Sequence, residues 1–131
     1  IGEIILKPTK IYVKEILELK KKINIKAIAH ITGGGLTGNL ERIIPKNMKI
    51  TLFKNTLFNF HKKLFLMLKK ASNLSDIEML ETFNCGNGMV LVVNKNDLKK
   101  AEKYLVKLRL SYKVIGQFSS LKKGDGKITI E

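Results

Sequence analysis

The sequence predicts an α+β fold: a mixed β-sheet layered with helices, ferredoxin-like in part. Three observations carry this reading. Two short apolar runs, Lys26–Ile31 and Met89–Val93, have the length and make-up of central strands covered on both faces. Elsewhere apolar residues return at three- and four-residue steps, as in Val13, Ile16, Leu17 and Ile23, which marks helices with one buried face. From Lys26 onward the elements follow as strand, helix, strand, two helices, strand, helix, strand, strand, with no internal repeat. That order implies helices layered on a mixed sheet.

Each element has its own signal. Ile1–Lys7 is extended in character, and Pro8 sets a boundary because the residue before a proline avoids the helical region. Tyr12–Lys22 then reads as an amphipathic helix with Lys14, Glu15, Glu18 and Lys21 outward, stopped at Asn24. Beyond the strand Lys26–Ile31 and its glycines, Leu36, Leu40, Ile43 and Ile44 make a short helix that Pro45 ends. Met48, Ile50 and Leu52 alternate with Lys49, Thr51 and Phe53 as a second strand. Leu57, Phe60, Leu64, Phe65 and Leu68 line a longer helix that ends near Ala71 and Ser72. Ser75-Asp76-Ile77-Glu78 has capping-box spacing, so another helix begins there and runs toward Thr82-Phe83-Asn84-Cys85-Gly86-Asn87-Gly88, a second glycine turn. After Met89–Val93, Asn96 or Asp97 caps a helix with Leu98, Ala101, Leu105 and Leu108 inward. Tyr112, Val114, Gly116 and Phe118 form one face of a strand, and Lys123-Gly124-Asp125-Gly126 turns the chain into a final edge strand with Ile128 and Ile130.

The 131 residues fit one domain with a single hydrophobic core. Hydrophobic residues make up 44% of the chain, yet no apolar run approaches the roughly eighteen that a membrane helix needs, so no membrane association is expected. The chain starts at Ile1 without an initiator Met or signal-peptide pattern, which suggests a fragment of a larger protein. One cysteine excludes a disulfide framework and makes the cytoplasm the simplest compartment. The net charge of +14 raises the reading of a small basic RNA-binding module. Against it, the basic residues are nearly all lysines spread along the chain, with only Arg42 and Arg109 as arginines. Solvated helix faces, and an AT-rich coding bias toward Lys, Ile and Asn, account for most of them. Recognition groups such as Arg and exposed aromatics are scarce, so nucleic acid is not the favoured partner.

Chemistry concentrates at the two glycine turns. His30-Ile31-Thr32-Gly33-Gly34-Gly35-Leu36 runs an apolar strand through three glycines into a helix. Glycines let a ligand approach the backbone, and the first helical N–H groups are without intrahelical partners at the positive end of the dipole. A phosphate suits such a place; a purely structural tight turn is the other reading. The pattern is neither a Walker A loop nor a dinucleotide fingerprint. His30 reaches a ligand over the sheet edge, or is a buried imidazole donating to a carbonyl. Thr32 adds a hydroxyl at the mouth, and Asn39 and Asn84 supply amide donors. Cys85 reads as a packing residue, since no basic partner or helix N-terminus is identifiable to activate it. His61 reads as a packing residue as well. One cysteine and two histidines cannot make a zinc tetrad, so no metal site is expected, and no catalytic residue stands out.

Three segments in order, Pro8-Thr9-Lys10-Ile11-Tyr12-Val13-Lys14, Ala29-His30-Ile31-Thr32-Gly33-Gly34-Gly35-Leu36 and Thr82-Phe83-Asn84-Cys85-Gly86-Asn87-Gly88-Met89, resemble successive signatures of the AIR synthetase (phosphoribosylformylglycinamidine cyclo-ligase) family. The first segment separates that family from relatives such as selenophosphate synthetase and thiamine-monophosphate kinase. The resemblance spans the whole chain and corresponds to the C-terminal domain of a two-domain enzyme. It implies a role in the ATP-dependent ring closure of formylglycinamidine ribonucleotide to aminoimidazole ribonucleotide in purine biosynthesis. It further implies ATP and Mg2+ bound mostly by an N-terminal domain, an active site between the domains of a homodimeric enzyme, and an inert isolated fragment. Carried over by position, Thr32, Gly33, Gly34 and Gly35 would contact phosphate or substrate, and Asn84, Gly86 and Gly88 would shape a neighbouring wall. Lys10 stands where the family usually has arginine, Asn87 replaces an apolar residue, and Leu80-Glu81 stands where an aromatic and a basic residue are common. The first change keeps the charge and loses the bidentate fork; the others bear on the second turn.

Overall fold

The structure, a computed structural model, describes residues 6, 8–58 and 62–131. The expected strand at Ile1–Lys7, apart from Leu6, and the expected helical residues Phe60 and His61 lie outside the described residues. The described chain runs α1 (Val13–Lys20), β1 (Ile25–His30), α2 (Gly35–Glu41), β2 (Met48–Leu52), α3 (Lys54–Leu57), α4 (Lys62–Ser72) and α5 (Asp76–Thr82). It continues through β3 (Met89–Val93), a 3₁₀ turn (Lys95–Asp97), α6 (Leu98–Lys107), β4 (Gly116–Ser120) and β5 (Ile128–Ile130). This is the α+β class that the sequence predicts.

The strands divide into two sheets. β1 pairs antiparallel with β3, Ile28 opposite Leu91 and His30 opposite Met89. The second sheet has the order β4-β2-β5, with β2 antiparallel to β4 and parallel to β5, which leaves β5 at an edge as expected. The expectation that β1 and β3 are central strands needs correction. In β1, Lys26, Ile28 and His30 are exposed, and no residue of β3 is fully buried. A two-stranded ribbon has no centre, and its apolar run packs in two directions: Val90 beside Ala29 against one hydrophobic cluster, Leu91 and Val93 against another.

The single core expected of this length is likewise two clusters. The larger gathers Ala29, Ile31, Leu36, Leu40, Ile50, Leu52 and Leu57 with Phe65, Met79, Leu80 and Cys85. The smaller joins Leu19, Ile23 and Ala101 with Ile25, Leu91 and Val93, where α1 and α6 lie on the ribbon. β1 belongs to both, through Ile25 at one end and Ala29 at the other.

Local chemistry sets the boundaries. The capping box is made in full: Ser75 Oγ accepts from Glu78 N at 3.3 Å while Ser75 N donates to Glu78 Oε2 at 2.8 Å. Asp97, one of the two expected residues, stands at the N-cap of α6 but makes no side-chain cap bond. The 3₁₀ turn begins at Asn94, whose carbonyl accepts from Asp97 N at 2.9 Å, and Asp97 already has helical dihedrals. The apolar stripe expected as one helix from Leu57 is divided between α3 and α4. β4 starts at Gly116, later than Tyr112, because its partner β2 ends at Leu52 opposite Gly116.

Candidate phosphate- and substrate-binding site

β1 delivers His30 to the first glycine turn, and β3 leaves the second turn beside it. The two turns are stitched together by backbone bonds: Ile31 N donates to Gly88 O at 3.0 Å, and Leu36 N donates to Phe83 O at 3.1 Å. The two turns therefore abut at one end of the β1–β3 ribbon.

The first turn holds its shape through glycine dihedrals and one asparagine. Gly34 is left-handed at φ 91° and Gly35 follows at φ 64°. A Cβ on Gly35 would run into the carbonyls of Leu80 and Glu81 at the end of α5, so the position admits glycine alone. Asn39, 5% exposed, directs its Nδ2 to the carbonyls of Thr32 (3.3 Å), Gly33 (3.2 Å) and Gly35 (2.7 Å). In a trans peptide the C=O and the following N–H point oppositely. With the Thr32 and Gly33 carbonyls held inward, the N–H groups of Gly33 and Gly34 face away from the interior. The Leu36 N–H, after the third tethered carbonyl, is the one engaged by Phe83. What remains for an anion is the pair of amides at exposed Gly33 and Gly34 beside the exposed Thr32.

The second turn is built in the same way. Asn84 Oδ1 accepts from Gly86 N at 2.9 Å, and Gly86 takes φ 86°. Asn87, 5% exposed, sends Nδ2 to the carbonyls of Leu57 (2.9 Å), Asn84 (3.1 Å) and Cys85 (3.4 Å). Asn39 and Asn87 thus brace the two turns from inside, and Asn84 holds the second turn's bend. Sequence reading placed Asn39 and Asn84 at the ligand and treated Asn87 only as a departure. An asparagine four residues beyond a glycine triplet, or between two glycines, is the signal that pointed to bracing.

The side chains around the turns follow from their elements. His30 is exposed, so the buried-imidazole alternative does not hold. Its ring meets Tyr12 in a T-shaped contact with centroids 6.0 Å apart. Lys10 Nζ lies 5.5 Å from the Tyr12 ring centroid. Tyr12, given no role from sequence, also occupies the place a Cβ on Gly88 would take. Cys85 is buried at φ 48°, its Sγ 3.5 Å from Met79 O, and burial, with a smaller effect of Asp76, pushes its thiol up to about 11. It is the packing residue that the sequence predicts. On the other side of the first turn, Gly34, Thr37 and Gly38 border a groove of about 580 Å³ lined also by Glu41, Glu81 and Ile77. Lys127 lines the groove as well, with its Nζ engaged by the carbonyls of Pro45 and Lys46. Among the described residues, no three of His, Cys, Asp and Glu gather where they could hold a metal ion.

Fold and paired turns define an α+β domain organised around two abutting glycine turns at the end of a β-ribbon. The family model for AIR synthase related protein, C-terminal domain, matches residues 1–128, and the chain belongs to that family. It is 42% identical over 130 residues to the phosphoribosylformylglycinamidine cyclo-ligase of Caldicellulosiruptor saccharolyticus, covering 99% of this chain and 37% of that protein. The cyclo-ligase of Thermodesulfovibrio yellowstonii is 42% identical over 127 residues, 97% of this chain and 36% of the relative. That of Syntrophotalea carbinolica is 40% identical over 131 residues, 99% of this chain and 37% of the relative. The chain thus spans little more than a third of the length of these curated relatives.

Proposed function

We propose that the chain acts as the substrate-side, C-terminal domain of a phosphoribosylformylglycinamidine cyclo-ligase. The observation that carries this is spatial: Tyr12 of the first signature segment meets His30 of the second and Gly88 of the third, and backbone bonds at Ile31 and Leu36 join the second segment, with its glycine turn, to the third. In the proposed reaction, ATP phosphorylates the formyl oxygen of formylglycinamidine ribonucleotide, a nitrogen closes the ring, and phosphate leaves. The Gly33 and Gly34 amides, with the Thr32 hydroxyl, bind an anionic oxygen of the substrate or of the transferred phosphate. Asn39 aims those amides, and Asn84, Gly86 and Gly88 shape the adjoining wall. ATP and Mg2+ are bound mostly by an N-terminal domain, as the resemblance implies. The working enzyme is then a two-domain, homodimeric, cytoplasmic ligase, and this chain alone is inert.

A chimera tests the assignment. This chain replaces the corresponding C-terminal part of the Caldicellulosiruptor relative, and the fusion is introduced into a purine auxotroph lacking the cyclo-ligase. Growth without purine is expected, with none from this chain alone. A soluble, folded chimera that fails to support growth would overturn the proposal.

A further inference from the structure

One side-chain cluster touches all three signature segments, and no sequence motif explains it. Lys10, Tyr12, His30 and Gly88 come from a loop, a helix entrance, a strand end and a turn, yet they form a continuous contact. The Tyr12 and His30 rings meet at 69° with centroids 6.0 Å apart. Lys10 Nζ is 5.5 Å from the Tyr12 centroid and 3.9 Å from Glu15 Oε1, so the lysine spans ring and carboxylate. Gly88 does not carry the positive φ of Gly34, Gly35 or Gly86. Its lack of a side chain answers to space: a Cβ there would meet the Tyr12 hydroxyl and Cζ.

We propose that Tyr12 is a positioning residue, holding the His30 imidazole at the mouth of the first glycine turn, and that Gly88 is glycine to admit the phenol. The inference rests on the reading of that mouth as the phosphate- and substrate-binding site. An exposed imidazole at a strand end would otherwise turn among its rotamers, and an edge-to-face contact with a half-buried ring restricts it. Tyr12 in turn is bordered by Gly88 of the second glycine turn and by Lys10. Burial, with a smaller effect of Glu15, raises the phenol's pKa above its ordinary 10.0, so the hydroxyl keeps its proton at neutral pH. The imidazole so held is placed to donate to an oxygen of a phosphate monoester bound at Gly33 and Gly34.

NMR of the 131-residue chain tests this, with the ring protons of His30 assigned through His30→Gln and inorganic phosphate as the probe. Tyr12→Leu should move the His30 ring resonances to those of a free imidazole, and Tyr12→Phe should leave them in place. Gly88→Ala should displace the phenol and move His30 although neither ring is altered. Phosphate, followed at the Gly33 and Gly34 amides, should bind about tenfold more weakly to Tyr12→Leu and near normally to Tyr12→Phe, a loss on the scale of one contact. Folding is checked in each variant by amide dispersion. A folded Tyr12→Leu or Gly88→Ala protein with unmoved His30 resonances overturns the positioning role, as does undiminished phosphate affinity in Tyr12→Leu. A wild-type chain whose glycine amides ignore phosphate overturns instead the reading of the mouth on which the inference rests.

Discussion

Asn39 and Asn87 show how a few side chains set backbone chemistry. Each is 5% exposed and surrounded by three carbonyls, which fixes the amide orientation, since only nitrogen can face so many acceptors. Replacing either by alanine orphans buried carbonyls and opens a void. We expect Asn39→Ala and Asn87→Ala each to lower unfolding stability by about 1–3 kcal/mol, read as a lower urea midpoint at unchanged slope. Asn39→Ala should in addition abolish phosphate-induced shifts at Gly33 and Gly34, because the inward tethers that turn those amides outward are lost. Asn87→Ala should spare that response, its carbonyls lying in Leu57 and the second turn. That amide side chains stand near the turns was legible from residue type alone, but not that Asn39 donates inward to carbonyls while Asn84 accepts from Gly86 N. An amide near a glycine turn serves ligand or backbone equally well until the carbonyls around it are known.

Helix ends were legible where the signal is local and obscure where a neighbour decides. Ser75 and Glu78 lie three residues apart, so their mutual bonds could be read from spacing. The end of α6 could not. Arg109 N donates to Val106 O and Leu110 N to Leu105 O, both at 2.9 Å, which makes a Schellman motif with Arg109 left-handed at φ 55°. Glycine is the usual residue there, and Arg109→Gly should stabilise the protein by up to about 1 kcal/mol, seen as a raised melting temperature. Asp76 at the start of α5 gives a pH test. Its Oδ1 is 2.6 Å from Lys69 Nζ and its Oδ2 3.6 Å from Lys54 Nζ, ties that reach α4 and α3. The hydrogen bond from Lys69, with the charges of Lys69 and Lys54, holds the carboxyl below its ordinary 3.8. A carboxyl depressed in the folded state contributes stability that is fully present above that ordinary value and lost as pH falls through the folded one. Denaturant titrations below pH 4 should therefore show a steeper acid loss for the wild type than for Asp76→Asn.

At the scale of the whole molecule, apolar content predicted the α+β class, while the partition into two sheets and two clusters depended on pairings that no local pattern carries. Met89–Val93 is apolar at every position whether its far face meets another helix layer or not, and only the contacts show that it belongs to a ribbon. Charge is the other global property, and here composition alone misleads. The +14 balance suits a polyanion, yet several lysines have partners inside the fold. Lys127 Nζ donates to the carbonyls of Pro45 and Lys46, both at 2.8 Å, and Lys49 pairs with Asp125 at 2.9 Å. Lys54 and Lys69 share Asp76, and Lys21 meets Glu18 at 2.7 Å. These cations fasten the end of β5, the final turn and the helices to their neighbours, and they assemble no set of base-reading groups. We therefore expect RNA to bind weakly and without sequence preference, with affinity falling steeply as salt rises, since released counterions supply nearly all of such binding. Fluorescence anisotropy with several unrelated oligonucleotides across a salt series measures this. A tight complex that favours one sequence and survives competition by the others would return the basic surface to the centre of the protein's function, in place of the glycine turns.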